Sequence, residues 1–328
     1  MTTLLLSTKI KFLDPHMNTE RKNIVISYLL LLIAIVLWAS AFVGIRIGLK
    51  NYTPGVLALL RFLVASTAII PLHFRYRNPT TLTIKNRCSL FFLGFLGIGI
   101  YHSALNYGEV TISAGLASFI IGLSPIFTAL LALFFLKEKL RYIGWIGIAI
   151  SLVGVVLITI SQGGAASFNI GVLAVLASAI VSAIYSVWQK TLLKKINVVE
   201  MTSFTFWAGT LCLLIFLPQL PKEFMHASIK STLAAVYLGI FPSVIAYISW
   251  CMALKRLTVT KASSALYAMP ILSTFLGWII LNEKIALLAF IGGCIALIGA
   301  FIVQSKKSSA PQNTAILSSK ASIYTART

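Results

Sequence analysis

An all-α polytopic membrane protein, with ten transmembrane helices arranged as two inverted five-helix repeats, is the fold this sequence predicts. Three observations lead there. Of 328 residues, 59% are hydrophobic and only 10% are charged, more apolar surface than a soluble domain can hide. Apolar runs of about twenty residues recur along the chain, each long enough as a helix to cross a ~30 Å hydrocarbon core. Finally, a set of Pro, Glu-Lys and Gly positions returns at a constant spacing of 145 residues.

The runs fall at 24–45, 53–74, 89–108, 113–136, 142–161, 169–189, 200–218, 231–254, 262–281 and 286–304. Each is expected to be helical, because lipid offers backbone groups no other hydrogen-bond partner. The expected organisation is a cytoplasmic N-terminal segment (1–23), repeat 1 (24–161), repeat 2 (169–304) and a disordered Ser/Thr/Lys-rich tail (305–328). Met17 opens "MNTERKNIVISYLL" and is as good a start as Met1.

The net charge is +20, with 27 Lys and Arg against seven acids. Such an excess can mark nucleic-acid binding, but here the cations sit in short connections between apolar runs. With the N-terminus in the cytoplasm, 21 of the 27 fall on the cytoplasmic side, while Arg46, Lys50, Lys222, Lys230 and Lys284 fall on the other. That asymmetry follows the positive-inside rule. It predicts a multi-pass protein of a bacterial inner membrane with both termini cytoplasmic. The expected counter-charges are anionic lipid headgroups rather than nucleic acid. Cys88, Cys212, Cys251 and Cys294 are far apart and form no metal or disulfide pattern.

Pro125 and Pro270, Glu138 and Glu283, Lys139 and Lys284, Gly147 and Gly292, and Gly154 and Gly299 each differ by 145. Ungapped alignment of 117–154 with 262–299 gives 13 identities in 38 positions. The spacing covers five helices. Five is odd, so the second half must enter the membrane from the opposite side, as in many secondary transporters.

Each proline lacks an N–H and clashes with the carbonyl four residues back. Pro125 thus frees the carbonyl of Ile121, and Pro270 that of Leu266. A freed carbonyl in lipid needs a hydroxyl, water or neighbouring helix; the site is either a packing kink or a hinge at a solute path. Glu138 and Glu283 close the following helices, where a carboxylate opposes the helix dipole. A cationic partner is expected: Lys137, Lys139 or Arg141 for the first, Lys284 for the second. Each pair reads as a structural clasp or a gate. Gly147, Ser151 and Gly154 against Gly292, Ala296 and Gly299 read as close-packing faces.

"WASAFVGIRIGL" (38–49), "ALLRFLVAS" (58–66), "ASFIIGLSPIFTALLALFFLKEKL" (117–140) and "SSALYAMPILSTFLGWIILNEKI" (263–285) resemble the drug/metabolite transporter superfamily, most of all its EamA-type ten-helix exporters. The resemblance covers about residues 24–304. It implies a basket of ten helices around a central cavity that exports amino acids or other small metabolites.

Candidate cavity residues are those whose chemistry is out of place in lipid. Arg61 is a charge inside a span, and either faces a carboxylate or phosphate of a solute or bridges backbone carbonyls. His102 and Asn106 share a helix face at i, i+4, beside Tyr101, with Glu109 one turn further. His titrates in the physiological range, so His102 either carries a coupling proton or holds two helices together. Ser118 in the fourth helix joins the set. Trp38, Tyr185, Tyr247, Trp250 and Tyr267 supply an aromatic wall suited to amphipathic solutes, while Trp188 fits an interfacial belt.

No Walker A motif, HExxH motif or aspartyl dyad is present, the lone aspartate being Asp14. The expectation is therefore a non-enzymatic secondary exporter of small organic metabolites, needing no cofactor and working by alternating access, with protons as one candidate coupling ion. The alternative is a facilitated carrier or exchanger for phosphorylated or nucleoside-type compounds, or a passive channel.

Overall fold

The computed structural model describes residues 19–76, 82–136, 142–161, 169–257 and 259–305. They form ten helical spans. Helix α1 is Thr19–Gly48, α2 Pro54–Tyr76 and α3 Ile84–Thr111. Helix α4 runs as Ala114–Ile121 and Ser124–Leu136, α5 is Tyr142–Ser161 and α6 Ile170–Leu192. Helix α7 is Val198–His226 and α8 Ile229–Arg256. Helix α9 passes through Val259–Ser264, Ala265–Ala268 and Met269–Leu281, and α10 is Leu287–Ser305. Glu138 and its expected partners Lys137, Lys139 and Arg141 lie outside the described residues.

Local chemistry sets the ends. Pro54 occupies the first turn of α2, where its missing N–H costs nothing. Side chains cap further helix starts; for example, Asn169 accepts from the Gly171 N–H (2.9 Å), Asn197 from Val199 (3.0 Å) and Ser228 from Ser231 (3.3 Å). Outward faces carry large apolar side chains such as Phe92, Trp145, Leu152, Ile271 and Phe301, the reverse of a soluble protein and the surface lipid requires.

The inversion is visible in one helix pair. Helices α5 and α10 are in tight contact: the Ser151 hydroxyl donates to the Ala296 carbonyl at 2.8 Å. On either side of that bond, Gly147 lies against Gly299 and Gly154 against Gly292. As numbers rise in α5 they fall in α10, so the helices are antiparallel. A Cβ at Gly154 would stand 2.5 Å from the Gly292 carbonyl oxygen and the Ala296 nitrogen, so glycine is what lets the backbones meet. Ser151 and Ala296 are repeat mates, 145 apart. A residue touching its own mate lies on the axis relating the halves.

The first helix of each half crosses to the other. Helix α1 packs on α8 and α9, and α6 packs on α3 and α4. The core is therefore shared between the halves, not divided into two.

Two spans contain π-helical segments at matching places, Phe95–Ile100 in α3 and Gly239–Ile245 in α8. A shift of 145 carries 95–100 onto 240–245. Pro242 explains the second: it has no N–H for the Leu238 carbonyl, which instead accepts from the Ser243 hydroxyl at 2.9 Å. The break in α4 is resolved likewise. The Ile121 carbonyl freed by Pro125 accepts from the Ser124 hydroxyl at 2.7 Å. At Pro270 the chain passes through a 3₁₀ turn, Ala265–Ala268, before α9 resumes.

Candidate functional site

Between the halves lies a cavity lined from seven helices. Helix α1 gives Trp38 and Ile45, α2 gives Arg61, and α3 gives Gly97, Tyr101 and His102. Helix α6 adds Ser182, Tyr185 and Ser186, α8 adds Tyr247 and Trp250, and α9 adds Leu266 and Met269. The remaining lining is apolar, including Ile121 next to the α4 break.

The π segments shape this wall. At Gly97 the Tyr185 ring rests directly on the α3 backbone, in space a Cβ would occupy. On the α8 side, Trp38 Nε1 donates to the Pro242 carbonyl at 3.0 Å. The π turns thus expose backbone where an aromatic from the opposite half docks.

The aromatics form one continuous assembly. Trp38 meets Tyr247 edge-on at 5.6 Å and Trp250 at 5.2 Å between centroids. Tyr247 in turn contacts Tyr185 at 6.3 Å and Phe206 at 5.4 Å. His102 Nε2 and the Tyr247 hydroxyl are 3.0 Å apart, and these residues too are separated by 145. The pseudo-two-fold axis therefore runs from the α5–α10 seam through the cavity. The Tyr185 hydroxyl accepts from Gln189 Nε2 at 3.0 Å.

Arg61 is 2% exposed. Its Nε donates to the Ser243 hydroxyl at 2.9 Å, and its guanidinium carbon lies 5.4 Å from the Phe62 ring centroid. It forms no ion pair; among the described residues the one salt bridge is elsewhere, between Arg46 and Glu283. A buried cation satisfied only by a hydroxyl and a ring face leaves donors available to an anion.

Three other candidates stand apart from the cavity lining. Asn106 donates to the Pro54 carbonyl at 2.9 Å, tying α3 to the start of α2. Ser118 hydrogen-bonds the Ser273 hydroxyl, joining α4 to α9. Tyr267 packs edge-on against Phe301 of α10 at 6.3 Å. Pro125 and Pro270 lie in buried positions beside the lining residues Ile121 and Met269.

The partner of Glu283 is Arg46, not the neighbouring Lys284. Asn282 adopts a left-handed conformation (φ 55°), which Asn tolerates better than most residues, and this turns the chain back over the bundle. Glu283 then reaches two groups distant in sequence. Its Oε1 accepts from Arg46 Nε at 2.9 Å, and its Oε2 from the Ala114 N–H at 3.0 Å. The second contact sets the carboxylate on the α4 N-terminus, the favourable end of that dipole. The same end of the bundle is tied by Glu223, which accepts from Thr53 N (2.8 Å) and Oγ1 (2.9 Å).

Sequence reasoning missed Ser243 and Pro242. The signal for Pro242 was present, since the argument used for Pro125 and Pro270 applies to any proline inside a span.

Comparison with known proteins agrees with this architecture. A model described as the EamA-like transporter family matches residues 25–160 and 169–305. The chain is 40% identical over 285 residues to YdfC, an uncharacterized transporter of Bacillus subtilis, spanning 86% of this chain and 91% of that one. It is 34% identical to a probable terminal-alkyne amino-acid exporter of Streptantibioticus cattleyicolor, over 84% of this chain and 92% of the relative. It is 25% identical to a probable amino-acid metabolite efflux pump of Escherichia coli, over 83% and 93%. One solved crystal structure shares the fold, with a TM-score of 0.61 at 21% identity, covering 87% of this chain and 99% of that one. With the family model spanning both halves and the helices inverted about a common cavity, this chain belongs to the EamA-like transporter family, a multi-pass membrane transporter of small organic compounds.

Proposed function

We infer that the chain is a secondary exporter of amino acids or related amphipathic carboxylates, working by alternating access across the cytoplasmic membrane with both termini inside. Each repeat, 24–161 and 169–304, supplies half of the solute path. The observation that carries this reading is Arg61: a buried guanidinium without a carboxylate partner, on the wall of an aromatic cavity between the halves. A solute carboxylate would complete its coordination, and its apolar part would lie against Trp38, Tyr101, Tyr185, Tyr247 and Trp250. His102 would hold Tyr247 across the pseudo-axis. The relatives described as exporters of amino-acid compounds support the same class. Arg46–Glu283 would serve as the external gate, and the breaks at Pro125 and Pro270 as hinges.

The test is counterflow of radiolabelled L-phenylalanine and L-leucine in proteoliposomes. Saturable uptake accelerated by internal unlabelled amino acid is expected, as for a carrier rather than a channel. Arg61→Gln should lower apparent affinity about tenfold or more, since a charge-assisted hydrogen bond contributes about 1.5–3 kcal/mol. Arg61→Lys should recover part of it. Equal flux in wild type and Arg61→Gln would overturn the assignment.

A further inference from the structure

One buried acid has no place in the solute site. Glu109, in the last turn of α3, is 0% exposed, and neither carboxyl oxygen has a hydrogen-bond partner. Side-chain carboxylates in an apolar interior are stable only when paired or hydrogen-bonded; the neutral acid avoids that cost. The charged groups acting on Glu109 are Arg46 from α1, Glu283 from the α9–α10 connection and Arg61 from α2. Helix α6 meets this turn with Gly171 and Val175, which bring no charge.

The position of Arg46 gives the orphan acid a use. The Arg46 Nη1 already hydrogen-bonds the backbone carbonyl of Glu109 itself, while Nε holds Glu283. One guanidinium therefore stands between two carboxyl groups, engaged with one and touching the backbone of the other. The Arg46–Glu283 pair is partly exposed, at 31% and 15% of side-chain area, and lines a surface cleft with Leu49, Lys50, Val110 and Leu281. Water and protons reach the pair from there. Opening this end of the bundle must separate α1 from the α9–α10 connection, and with them Arg46 from Glu283.

We propose that Glu109 is a proton-carrying group of the transporter, and that Arg46 exchanges Glu283 for Glu109 when this end opens. With Arg46 on Glu283, Glu109 holds its proton and is neutral. When Arg46 turns to Glu109, the carboxyl releases that one proton to the cleft and becomes the new counter-ion. Reclosure returns Arg46 to Glu283, and Glu109 takes up a proton. The released proton leaves one extra negative charge in the site, on Glu283, which is partly exposed to the cleft and keeps the Ala114 N–H. His102 suits this role less well, because its proton would add a second positive charge beside Arg61 in the same cavity. The coupling part of the proposal rests on the reading of the chain as a carrier; the protonation part does not.

The experiment is infrared titration of the full-length protein in lipid bilayers, following the carbonyl stretch of a protonated carboxyl. Wild type should show a band that Glu109→Gln lacks and Glu109→Asp retains, shifted. Glu283→Gln frees Arg46 for Glu109, so the Glu109 band should persist only at distinctly lower pH than in wild type. A band unchanged by Glu283→Gln, or no band assignable to Glu109 in wild type or Glu109→Asp, overturns the proposal. In proteoliposomes with radiolabelled L-phenylalanine, an imposed pH gradient should alter wild-type flux and leave Glu109→Gln flux unaltered; equal responses overturn the coupling. Absence of wild-type flux with the infrared shifts intact contradicts the amino-acid reading and leaves the exchange standing.

Discussion

At the residue scale, polar groups of the site meet across the two halves. His102 and Tyr247 are the clearest pair, bonded at 3.0 Å although 145 positions apart. Removing the hydroxyl isolates that bond, because phenylalanine keeps the ring contacts with Trp38 and Phe206. Tyr247→Phe should therefore cost about 1 kcal/mol in thermal unfolding of the detergent-solubilised protein. A double variant with His102→Gln should cost less than the sum of the two single changes, since the partners act as one unit. Arg61 was legible in the sequence as a cation inside an apolar run. The Arg46–Glu283 pair was not: its members lie 237 positions apart, and hydropathy says nothing about which helix ends meet. A left-handed residue at Asn282 decided it, and local pattern favoured the adjacent Lys284.

At the element scale, the helices exist for reasons visible in the sequence, while their interruptions are only partly so. The break before Pro125 follows from ring sterics, and its relief by Ser124 obeys the same accounting of freed carbonyls. The π turn in α3 has no proline and left no mark in hydropathy, because an i→i+5 turn shifts helix phase without changing composition. The matching Gly positions of α5 and α10 were legible as a close-packed face, and the seam they form has no spare room. Gly154→Val would drive a branched side chain into the α10 backbone. The expected cost is about 1–3 kcal/mol or more, read as a lower unfolding midpoint and reduced yield of folded protein. A valine at the outward-facing Leu152, exposed to lipid in the same helix, should leave both unchanged.

At the scale of the whole molecule, the repeat spacing told that two halves exist and that they are inverted. It could not tell that α1 and α6 change sides, because spans read one at a time carry no information about neighbours. Rocking of either half, as proposed for alternating access, would carry a helix of the other with it and so transmit motion from one end to the cavity. The contacts of Arg46, Glu283, Glu223 and Thr53 close one end in this conformation. Alternating access therefore requires a second conformation in which that end is open and the same cavity faces the other way.

Ser182 offers the most direct measurement, since it lines the cavity from α6. A single cysteine there, with Cys88, Cys212, Cys251 and Cys294 replaced, can be labelled by a membrane-impermeant maleimide in intact cells and in inside-out vesicles. Alternating access predicts labelling from both faces, with Glu283→Gln speeding the reaction from the Arg46 side. Labelling from one face alone, whatever the state of the Arg46–Glu283 pair, would contradict it.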